Sequence, residues 1–312
     1  MDLTSSFEYE GWTIKYALSS APPSKPSKTI VFVHGTPWSA TVFQPLTKAL
    51  LARNGYRVLL YDLPGYGQSQ HLDIPQAFKK HRDSLFEGDT SVAQQGRALS
   101  ALLSALSLDG KDGNEKPAVI AHDIAGSIAL RAHLIHGCDF SSLLLMDTNT
   151  VLPWGDGFYK LVRAEPETFL RLPLGVFEAV VRSVTRSACF NLKKMACVWE
   201  DTLVEPWVAT SSGQTEKSEA MRRSFVRQIA QANDADVAEM LDGEMYETVR
   251  CPVKILWGEH DQWIPREKMD SLAQMLGTQL REFVVVPEAG HLVMIDQPQR
   301  VAVEVYDWLQ KQ

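Results

Sequence analysis

Six short apolar runs divide the chain, and each is rich in β-branched or other aliphatic residues. Continuous runs of this kind are typical of strands that are buried on both faces of a mainly parallel sheet. The pattern therefore predicts six such strands, and a partly alternating stretch at 7–17 predicts one further strand at the sheet edge. The six runs are TIVFVH (29–34), RVLLYD (57–62), PAVIAH (117–122), SLLLMD (142–147), PVKILW (252–257) and EFVVVP (282–287).

Helical patterns lie between these runs. At 41–52 the apolar residues recur with the spacing of one buried helix face. Further helices are expected at 92–106, 126–136, 266–276 and 298–310. Because strands and helices alternate, we expect an α/β fold with a doubly wound, mostly parallel sheet.

One long segment interrupts the alternation. Residues 148–250 contain no convincing strand run, and the strand pattern resumes at 252. We therefore interpret residues 148–247 as a helical insertion in a core formed by 1–147 and 248–312. Within the insertion we expect helices at 218–232 and 236–247 and an exposed loop, SSGQTEKSE, at 211–219.

The composition is that of an ordinary globular protein. Of the 312 residues, 45% are apolar and 22% are charged, so the chain can bury a large core without a disulfide or a metal. The 31 Lys and Arg residues against 38 Asp and Glu residues leave a net charge of −7. Nucleic acids and anionic membrane surfaces attract clustered positive charge, so neither is expected as the main partner.

The N-terminus and the cysteines bear on location and cofactors. MDLTSSFEYE is acidic and lacks an apolar centre, so no secretory signal is expected, and no apolar run approaches the roughly 20 residues that span a bilayer. The sequence has no GxGxxG after the first strand, no P-loop and no HExxH, so no cofactor or metal is expected. We expect a cytoplasmic protein whose four cysteines are reduced and buried, namely Cys138, Cys189, Cys197 and Cys251.

A motif with the form of a nucleophile elbow directly follows the strand expected at 117–122. In Ala121-His122-Asp123-Ile124-Ala125-Gly126, small residues flank the centre and allow a sharp turn from strand into helix. The central residue is Asp123, where a serine hydrolase has serine. The alternative interpretation is an aspartate that only caps the following helix.

A second motif follows the strand expected at 29–34. In His34-Gly35-Thr36-Pro37-Trp38, a turn containing glycine can direct backbone N–H groups at a developing oxyanion. Pro37 has no N–H, so Thr36 or Trp38 must be the donor. The alternative is a simple turn beside a packed His34.

The third signal pairs an acid with a histidine near the C-terminus. Asp261 lies in WGEHDQWIP after the strand at 252–257, and His291 lies in PEAGHLVMIDQP after the strand at 282–287. With Asp123 they follow the chain order nucleophile, acid, histidine. All of these positions are at strand ends, where open α/β sheets bind their ligands.

These motifs together resemble the α/β-hydrolase superfamily, and the resemblance covers nearly the whole chain. An Asp at the elbow is similar to the branch that contains epoxide hydrolases and haloalkane or haloacid dehalogenases. The resemblance implies an α/β-hydrolase fold in which residues 148–247 form a helical cap over the site. The segments that carry it are HGTPW, YDLPGYGQS (61–69), AHDIAGS, WGEHD and AGHLV, all in family order.

The resemblance also implies roles for individual residues. Asp123 corresponds to the nucleophile, Asp261 to the triad acid and His291 to the base. Thr36 and Ile124 correspond to the residues whose backbone N–H groups form the oxyanion hole. Asp147, after the strand at 142–147, is an alternative triad acid, because some dehalogenases use that position; the WGxxD context favours Asp261.

An aspartate at the elbow predicts a particular chemistry. Its carboxylate is already ionised at neutral pH, so it can attack an sp³ carbon that carries a leaving group, forming an alkyl ester. A water deprotonated by His291 would then hydrolyse the ester. The expected reaction is hydrolysis of a C–O or C–halogen bond in a small hydrophobic organic molecule.

The leaving group separates the subclasses. Epoxide hydrolases use a pair of cap tyrosines as proton donors, and the only tyrosines in the insertion are Tyr159 and Tyr246. Haloalkane dehalogenases use a Trp directly after the nucleophile, where this chain has Ile124, so an epoxide is favoured over a halide. The indole N–H groups that could still bind a halide belong to Trp38, Trp154, Trp199 and Trp207.

Two further interpretations stay open at the level of sequence. Ala121 and Ala125 replace the glycines of the usual elbow, and Ile124 replaces the dehalogenase Trp. These departures allow a cofactor-free lyase, isomerase or cyclase in which Asp123 acts only as an acid or base. A ligand-binding relative without turnover is the other alternative, and the intact set of Asp123, Asp261 and His291 disfavours it.

Overall fold

The architecture is that of a computed structural model. It describes residues 2–20, 28–53, 55–73, 85–155, 157–208 and 215–312.

Eight strands form a single sheet in the order β1-β2-β4-β3-β5-β6-β7-β8. The β1/β2 and β2/β4 pairs are antiparallel, and every other neighbouring pair is parallel. The predicted fold class, an α/β-hydrolase fold with a mostly parallel sheet, is therefore confirmed. The strands are β1 (Ser5–Tyr9), β2 (Trp12–Leu18), β3 (Lys28–Val33), β4 (Tyr56–Tyr61), β5 (Ala118–His122), β6 (Ser142–Met146), β7 (Val253–Gly258) and β8 (Leu280–Val286).

The N-terminal edge differs from the prediction. The stretch 7–17 was expected as one strand, but it belongs to two strands joined by a tight turn at Glu10 and Gly11, both with positive φ. A Cβ at Gly11 would lie 2.6 Å from the carbonyl oxygen of Asp73, so the turn requires glycine there. Alternation continues on both sides of the turn, and this hid the reversal of direction in the pattern.

The central strands are buried on both faces, as their continuous apolar runs predict. Along β3, Ile30 and Phe32 pack into one core and Val31 and Val33 into the other. Helices cover each face of the sheet: one core includes Leu46 and other residues that precede β4, and the other includes residues of the helix after the elbow. The sheet is thus a rigid central layer whose strand ends share one edge.

Most of the predicted helices are confirmed within a few residues. The helix expected at 236–247 ends at Asp242, and a separate 3-10 turn follows at Met245–Thr248. There are two further differences. The helix expected at 41–52 begins as a 3-10 turn, Ala40–Phe43, and continues as an α-helix in whose first turn Pro45 lies, where a missing N–H is tolerated. The core helices are α1 (Gln44–Ala52), α2 (Val92–Ala105), α3 (Ala125–Leu134), α11 (Arg266–Leu276), α12 (Val293–Asp296) and α13 (Pro298–Gln310).

The second difference lies in the segment between β6 and β7. Its described residues are helical or irregular and include no strand. Part of the loop expected at 211–219 is helical, because α9 begins at Thr215, and 211–214 lie outside the described residues. The segment contains α4 (Gly157–Ala164), α5 (Pro166–Leu170), α6 (Leu174–Ser187), α7 (Leu192–Lys194), a π-helical turn (Met195–Trp199), α8 (Glu200–Val204), α9 (Thr215–Ala230), α10 (Ala235–Asp242) and a 3-10 turn (Met245–Thr248).

No helix in the described part of the chain is long and apolar enough to cross a membrane. Three of the four cysteines, Cys138, Cys189 and Cys251, are buried free thiols. The side chain of Cys197 lies outside the described residues.

Candidate active site

Asp123 occupies the turn between β5 and α3 in a left-handed conformation, with φ at +58°. This conformation is unfavourable for a residue with a side chain, so the surroundings must hold it. Its carbonyl oxygen accepts hydrogen bonds from the N–H groups of Gly126 and Asn149, at 3.1 and 3.0 Å, and from the hydroxyl of Thr148 at 3.0 Å. The strained turn is therefore held by backbone that follows β6 as well as by its own helix.

Two glycines allow the elbow to form. A Cβ at Gly35 would overlap the side chain of Asp123, and a Cβ at Gly126 would overlap the hydroxyl of Thr148. These close approaches give a physical reason for the glycines in the two motifs. They bring the turn after β3 directly against the elbow.

The two oxygens of the Asp123 carboxylate face different groups. Its Oδ2 accepts a hydrogen bond from the backbone N–H of Thr36 at 2.8 Å, and the N–H of Ile124 also donates to the carboxylate. Its Oδ1 lies 3.8 Å from Nε2 of His291. Of the two donors that the sequence left open, Trp38 donates its N–H to the carbonyl of Gly35, and Thr36 is the one that reaches Asp123.

His291 is oriented by Asp261. The imidazole Nδ1–H donates to Oδ2 of Asp261 at 3.0 Å. The other carboxylate oxygen, Oδ1, accepts the backbone N–H groups of Trp263 and Ile264 at 2.8 and 3.0 Å. Asp261 is thus fixed by its own loop, and it holds the imidazole with Nε2 toward Asp123.

Asp147, the alternative acid, lies at the end of β6 beside the loop that carries Asp261. Its Oδ1 accepts the N–H of Gly258 at 2.7 Å. Burial, and then the negative charge of Asp261, raise the pKa of Asp147 well above its usual range. This favours an uncharged carboxyl group next to the charged one.

Burial also sets the ionisation of the other groups at the elbow. It raises the pKa of Asp123 to about 6, although the nearby His291 and the N–H of Thr36 oppose the rise. Burial lowers the pKa of His122 well below its usual range. The neutral ring of His122 donates from Nε2 to the carbonyl of His291 at 2.8 Å, which ties the histidine loop to the elbow.

A small cavity lies above Asp123. About 30 Å³ of it is open to the centre of a water-sized sphere, which is room for one or two water molecules. The sheet edge and the inserted segment both contribute to its wall, which is mostly apolar. The lining residues are Thr36, Asp123, Ile124, Asn149, Trp154, Gly155, Tyr159, Arg163, Ile229, Ala232, Trp263 and Ile264.

Two of the aromatic residues singled out in the insertion line this cavity. The hydroxyl of Tyr159 donates to the carbonyl of Thr36 at 3.3 Å, which places it close to the oxyanion turn. Trp154 lines the wall with its ring, and its indole N–H donates to the carbonyl of Asn149 at 2.9 Å. Both polar hydrogens are thus bound to backbone carbonyl groups, and that of Tyr159 is bound to Thr36, the residue whose N–H donates to Asp123.

The other aromatic candidates lie elsewhere. Tyr246 is buried in the 3-10 turn that follows α10, and its hydroxyl donates to the carbonyl of Thr150 at 2.7 Å. The ring of Trp38 stacks on that of Trp263 at 5.8 Å, and the indole of Trp207 donates to the carbonyl of Pro37 at 2.8 Å. None of these residues belongs to the described cavity wall, and the half-buried Trp199 does not belong to it either.

The sequence reasoning missed seven of the twelve described wall residues, and three of the seven have polar or aromatic side chains. Trp263 stacks on the imidazole of His291 at 4.7 Å and meets Tyr159 edge to face at 5.6 Å. Arg163 lies one helical turn after Tyr159 on α4, and Asn149 follows β6. Trp263 and Asn149 both follow strand ends, and this position was the available signal.

No cluster of three or more His, Cys, Asp or Glu side chains that could hold a metal ion occurs in the ranges that the structure describes. The chemistry that the site offers on its own is that of a carboxylate, an imidazole and two backbone N–H donors.

Comparisons with known proteins agree with this architecture. An alpha/beta hydrolase fold protein from Burkholderia ambifaria has a similar crystal structure, with a TM-score of 0.79, 30% identity and 98% of each chain covered. A 2-hydroxy-6-oxononadienedioate/2-hydroxy-6-oxononatrienedioate hydrolase from Paraburkholderia phymatum is 22% identical over 90% of this chain and 87% of its own length. Epoxide hydrolase 3 from Xenopus tropicalis is also 22% identical, over 83% of this chain and 65% of its own.

The sequence profile of one family spans both parts of the sheet and the segment between them. It is described as the Alpha/beta hydrolase family, and it matches residues 30–305. The match includes the elbow at Asp123, the turn of Gly35 and Thr36 after β3, and the loops of Asp261 and His291. This match covers most of the chain, and the order of the strands in the sheet agrees with it. The chain therefore belongs to the alpha/beta hydrolase family.

Proposed function

We propose that this hydrolase acts through an aspartate nucleophile, forming an alkyl ester on Asp123 that His291 then helps to hydrolyse. One observation carries the proposal. The two oxygens of the Asp123 carboxylate have different surroundings: Oδ2 accepts the N–H of Thr36 at 2.8 Å, and Oδ1 lies 3.8 Å from the imidazole of His291. A carboxylate held in this way has one oxygen for attack and one for the oxyanion site.

In the first step Oδ1 attacks an sp³ carbon of the substrate. A new C–O bond forms to Asp123, and the bond from that carbon to the leaving group breaks with its electron pair. An ionised carboxylate needs no base for this step, unlike a serine. Oδ2 becomes the carbonyl oxygen of the ester. It is already bound to backbone N–H groups, so it need not move when the ester forms.

In the second step His291 removes a proton from a water molecule, and the water attacks the ester carbonyl carbon. The negative charge then develops on Oδ2, where the N–H groups of Thr36 and Ile124 stabilise it. A donor of this type is typically worth about 3 kcal/mol of barrier. Asp261 stabilises the imidazolium. As the bond between the carbonyl carbon and Oδ1 breaks, the imidazolium returns its proton to the departing oxygen, so the alcohol is released and the imidazole is neutral again.

An epoxide is the leaving group that we favour. The hydroxyl of Tyr159 lies at the cavity and can protonate the opening oxygen. A halide would need N–H donors at the cavity, yet both indoles of the described wall, Trp154 and Trp263, donate to oxygens of the protein. The indole N–H of Trp38 has no hydrogen-bond partner among the described residues, but it lies outside that wall. The similarity to an epoxide hydrolase from Xenopus tropicalis supports the same choice, and a dehalogenase is the weaker alternative.

The substrate that we propose is a small and mainly hydrophobic organic molecule. The wall contains seven apolar or glycine positions, and the open space is only about 30 Å³. Any organic substrate larger than a few atoms must therefore displace part of the wall. Residues 148–247 would act as the cap, moving away from the sheet edge to admit it.

A second candidate function is supported by the ionisation of Asp123. Because burial raises its pKa to about 6, this carboxyl group can also take up or release protons near neutral pH. A cofactor-free lyase, isomerase or cyclase would use it in that way. Such an enzyme would form no covalent bond to Asp123, so the two candidates differ in a measurable intermediate.

Trapping of the ester tests the proposal. The His291→Gln variant is incubated with styrene oxide, propylene oxide and butyl bromide, and its peptides are analysed by mass spectrometry. Since water activation is removed while attack is kept, we expect the peptide containing Asp123 to gain the mass of a probe. The matched control is Asp123→Asn in the same background, which should gain none.

If no probe modifies Asp123 in the His291→Gln variant while the wild-type protein converts that probe, the covalent mechanism is wrong. If the product then also contains no oxygen from labelled solvent water, the acid–base alternative is favoured.

A further inference from the structure

Asn149 is a cavity residue to which the reaction described above assigns no role. It lies three residues after the end of β6 and is 6% exposed. Its backbone is fixed on both sides: the N–H donates to the carbonyl of Asp123, and the carbonyl accepts from Ser127 and Trp154 at 2.8 and 2.9 Å. The position of its side chain relative to the nucleophile is therefore set by the elbow itself.

The side-chain carboxamide of Asn149 is not satisfied by the protein. Its Oδ1 is buried and accepts no hydrogen bond from the described residues. A buried polar group without a partner is unfavourable, and such groups in native proteins call for an explanation. Because Asn149 also lines the cavity above Asp123, a bound molecule is the partner that the geometry offers.

The other polar residues of the wall have partners within the protein. Arg163 donates to the carbonyls of Trp154 and Ala232 at 2.7 and 3.0 Å and to the carboxylate of Asp234 at 3.2 Å. The hydroxyl of Thr36 lies 2.7 Å from that of Tyr66. Asn149 is thus distinguished from its polar neighbours by the unsatisfied amide oxygen.

We propose that the carboxamide of Asn149 binds the leaving group of the substrate and acts together with Tyr159 during formation of the ester. This inference rests on the proposed function. The atom without a partner is the acceptor Oδ1, so this role requires a half turn about the Cβ–Cγ bond. The turn places the two N–H donors of the carboxamide where Oδ1 stands, with little change of shape. The carboxamide can hold a departing oxygen but cannot protonate it, so the proton comes from the hydroxyl of Tyr159.

The proposal accounts for the missing second tyrosine. Tyr246, the other tyrosine of the insertion, donates to the carbonyl of Thr150 and lies outside the cavity wall. In ring opening, Oδ1 of Asp123 forms a bond to the epoxide carbon as the C–O bond breaks. The oxygen takes the electron pair, receives a proton from Tyr159 and is held by an N–H of Asn149.

The test measures ester formation separately from ester hydrolysis. Asn149→Leu is made in the His291→Gln background, and the rate of Asp123 modification by styrene oxide is followed by mass spectrometry. We expect it to fall by about 10- to 100-fold, since one donor to a developing charge is lost. In the protein with His291 intact, single-turnover decay of the ester should be nearly unchanged, because the epoxide oxygen is by then a neutral hydroxyl of the bound ester and gains no charge when the ester is hydrolysed.

Two matched variants keep the test specific. Ser127→Ala removes the hydrogen bond to the backbone carbonyl of Asn149 but leaves the carboxamide of Asn149 intact. In this variant styrene oxide should therefore modify Asp123 at nearly the parent rate. Asn149→Asp keeps the shape and the acceptor oxygens without the N–H donors, so it should be as slow as Asn149→Leu. Circular dichroism of each variant checks that the fold is kept.

The outcomes separate this inference from the function on which it rests. If His291→Gln forms the ester and Asn149→Leu forms it equally fast in that background, Asn149 does not bind the leaving group. Retention of the parent rate by Asn149→Asp would also overturn the donor role. If His291→Gln forms no ester on any probe that the wild type converts, the covalent mechanism fails first and the role of Asn149 fails with it.

Discussion

The edge of the sheet and the segment of residues 148–247 form the same cavity, but they hold their polar groups in different ways. At the sheet edge, backbone N–H groups bind each carboxylate: Thr36 donates to Asp123, Trp263 and Ile264 donate to Asp261. In the inserted segment, Tyr159 and Arg163 project from α4. Tyr159 donates to the carbonyl of Thr36, and Arg163 donates to the carbonyls of Trp154 and Ala232 and to the carboxylate of Asp234, so here the side chains are the donors.

The surfaces of the two regions differ in the same sense. Of the eight exposed large hydrophobic residues among those described, six lie in the inserted segment and none lies in a strand. The six are Leu161, Leu174, Val176, Phe190, Leu192 and Val198. On the proposed function, the sheet edge would set the geometry of bond making, and the inserted segment would set which molecules reach it.

Removing the acid at the sheet edge tests this difference between the two regions with the largest expected effect. Asp261→Asn should lower the rate of ester hydrolysis by about 10³- to 10⁴-fold, because the imidazolium of His291 loses its charge partner and its orientation. Single-turnover measurement of ester decay provides the number. Asp147→Asn is the matched control and should cost less than about tenfold, since burial already favours its uncharged form.

The reverse ranking of these two variants would make Asp147 the functional acid. It would also show that the contact of 3.0 Å between Asp261 and His291 does not decide the chemistry.

The pH dependence sharpens the same comparison with a smaller effect. Burial raises the pKa of Asp123 to about 6, so the ionised carboxylate, which is the proposed nucleophile, is depleted as the pH falls below that value. The kcat/KM for ester formation should therefore be level above about pH 7 and should fall about tenfold for each unit well below pH 6. A pH profile of the first step, measured by rapid quench, checks this. A level profile down to pH 4 would contradict a buried nucleophile of raised pKa.

The two tyrosines of the insertion provide the smallest and most local contrast. Tyr159→Phe should slow ring opening of styrene oxide by about 10-fold or more, because it removes the proton donor. Tyr246→Phe should leave that rate within about twofold and lower the free energy of unfolding by about 1 kcal/mol, the value of its hydrogen bond to Thr150. If the two variants slowed ring opening equally, the assignment of a catalytic role to Tyr159 and a structural role to Tyr246 would be wrong.

Much of the fold was predictable because its signals are local. The apolar runs identified β3 to β8 within a few residues, since a strand buried on both faces needs an unbroken apolar stretch. The hairpin of β1 and β2 was missed because apolar and polar residues alternate on both sides of Gly11. A turn of two residues leaves the alternation nearly intact, so the pattern alone does not reveal it.

The site was predictable only in part, for a related reason. Asp123, Thr36, Asp261 and His291 lie at strand ends, and the parallel strands bring those ends together. The sequence favoured Tyr159, which follows an aromatic stretch, and left a packing role open for Tyr246 in its helix-like run. The contacts themselves, Tyr246 with Thr150 and Tyr159 with the cavity, are not local in sequence. The direction of each side chain depends on how the inserted helices pack on one another.

The sequence by itself determined the order of strands and helices, the strained elbow at Asp123 and the set of residues available for chemistry. These follow from periodicity, turn chemistry and the intrinsic acidity of a carboxyl group, which act over a few residues. Only the tertiary structure decided that Oδ2 of Asp123 meets Thr36, that Trp263 stacks on His291 and that Asn149 keeps an unsatisfied amide. Those relations join residues far apart in the chain, so they exist only once the long-range packing is complete.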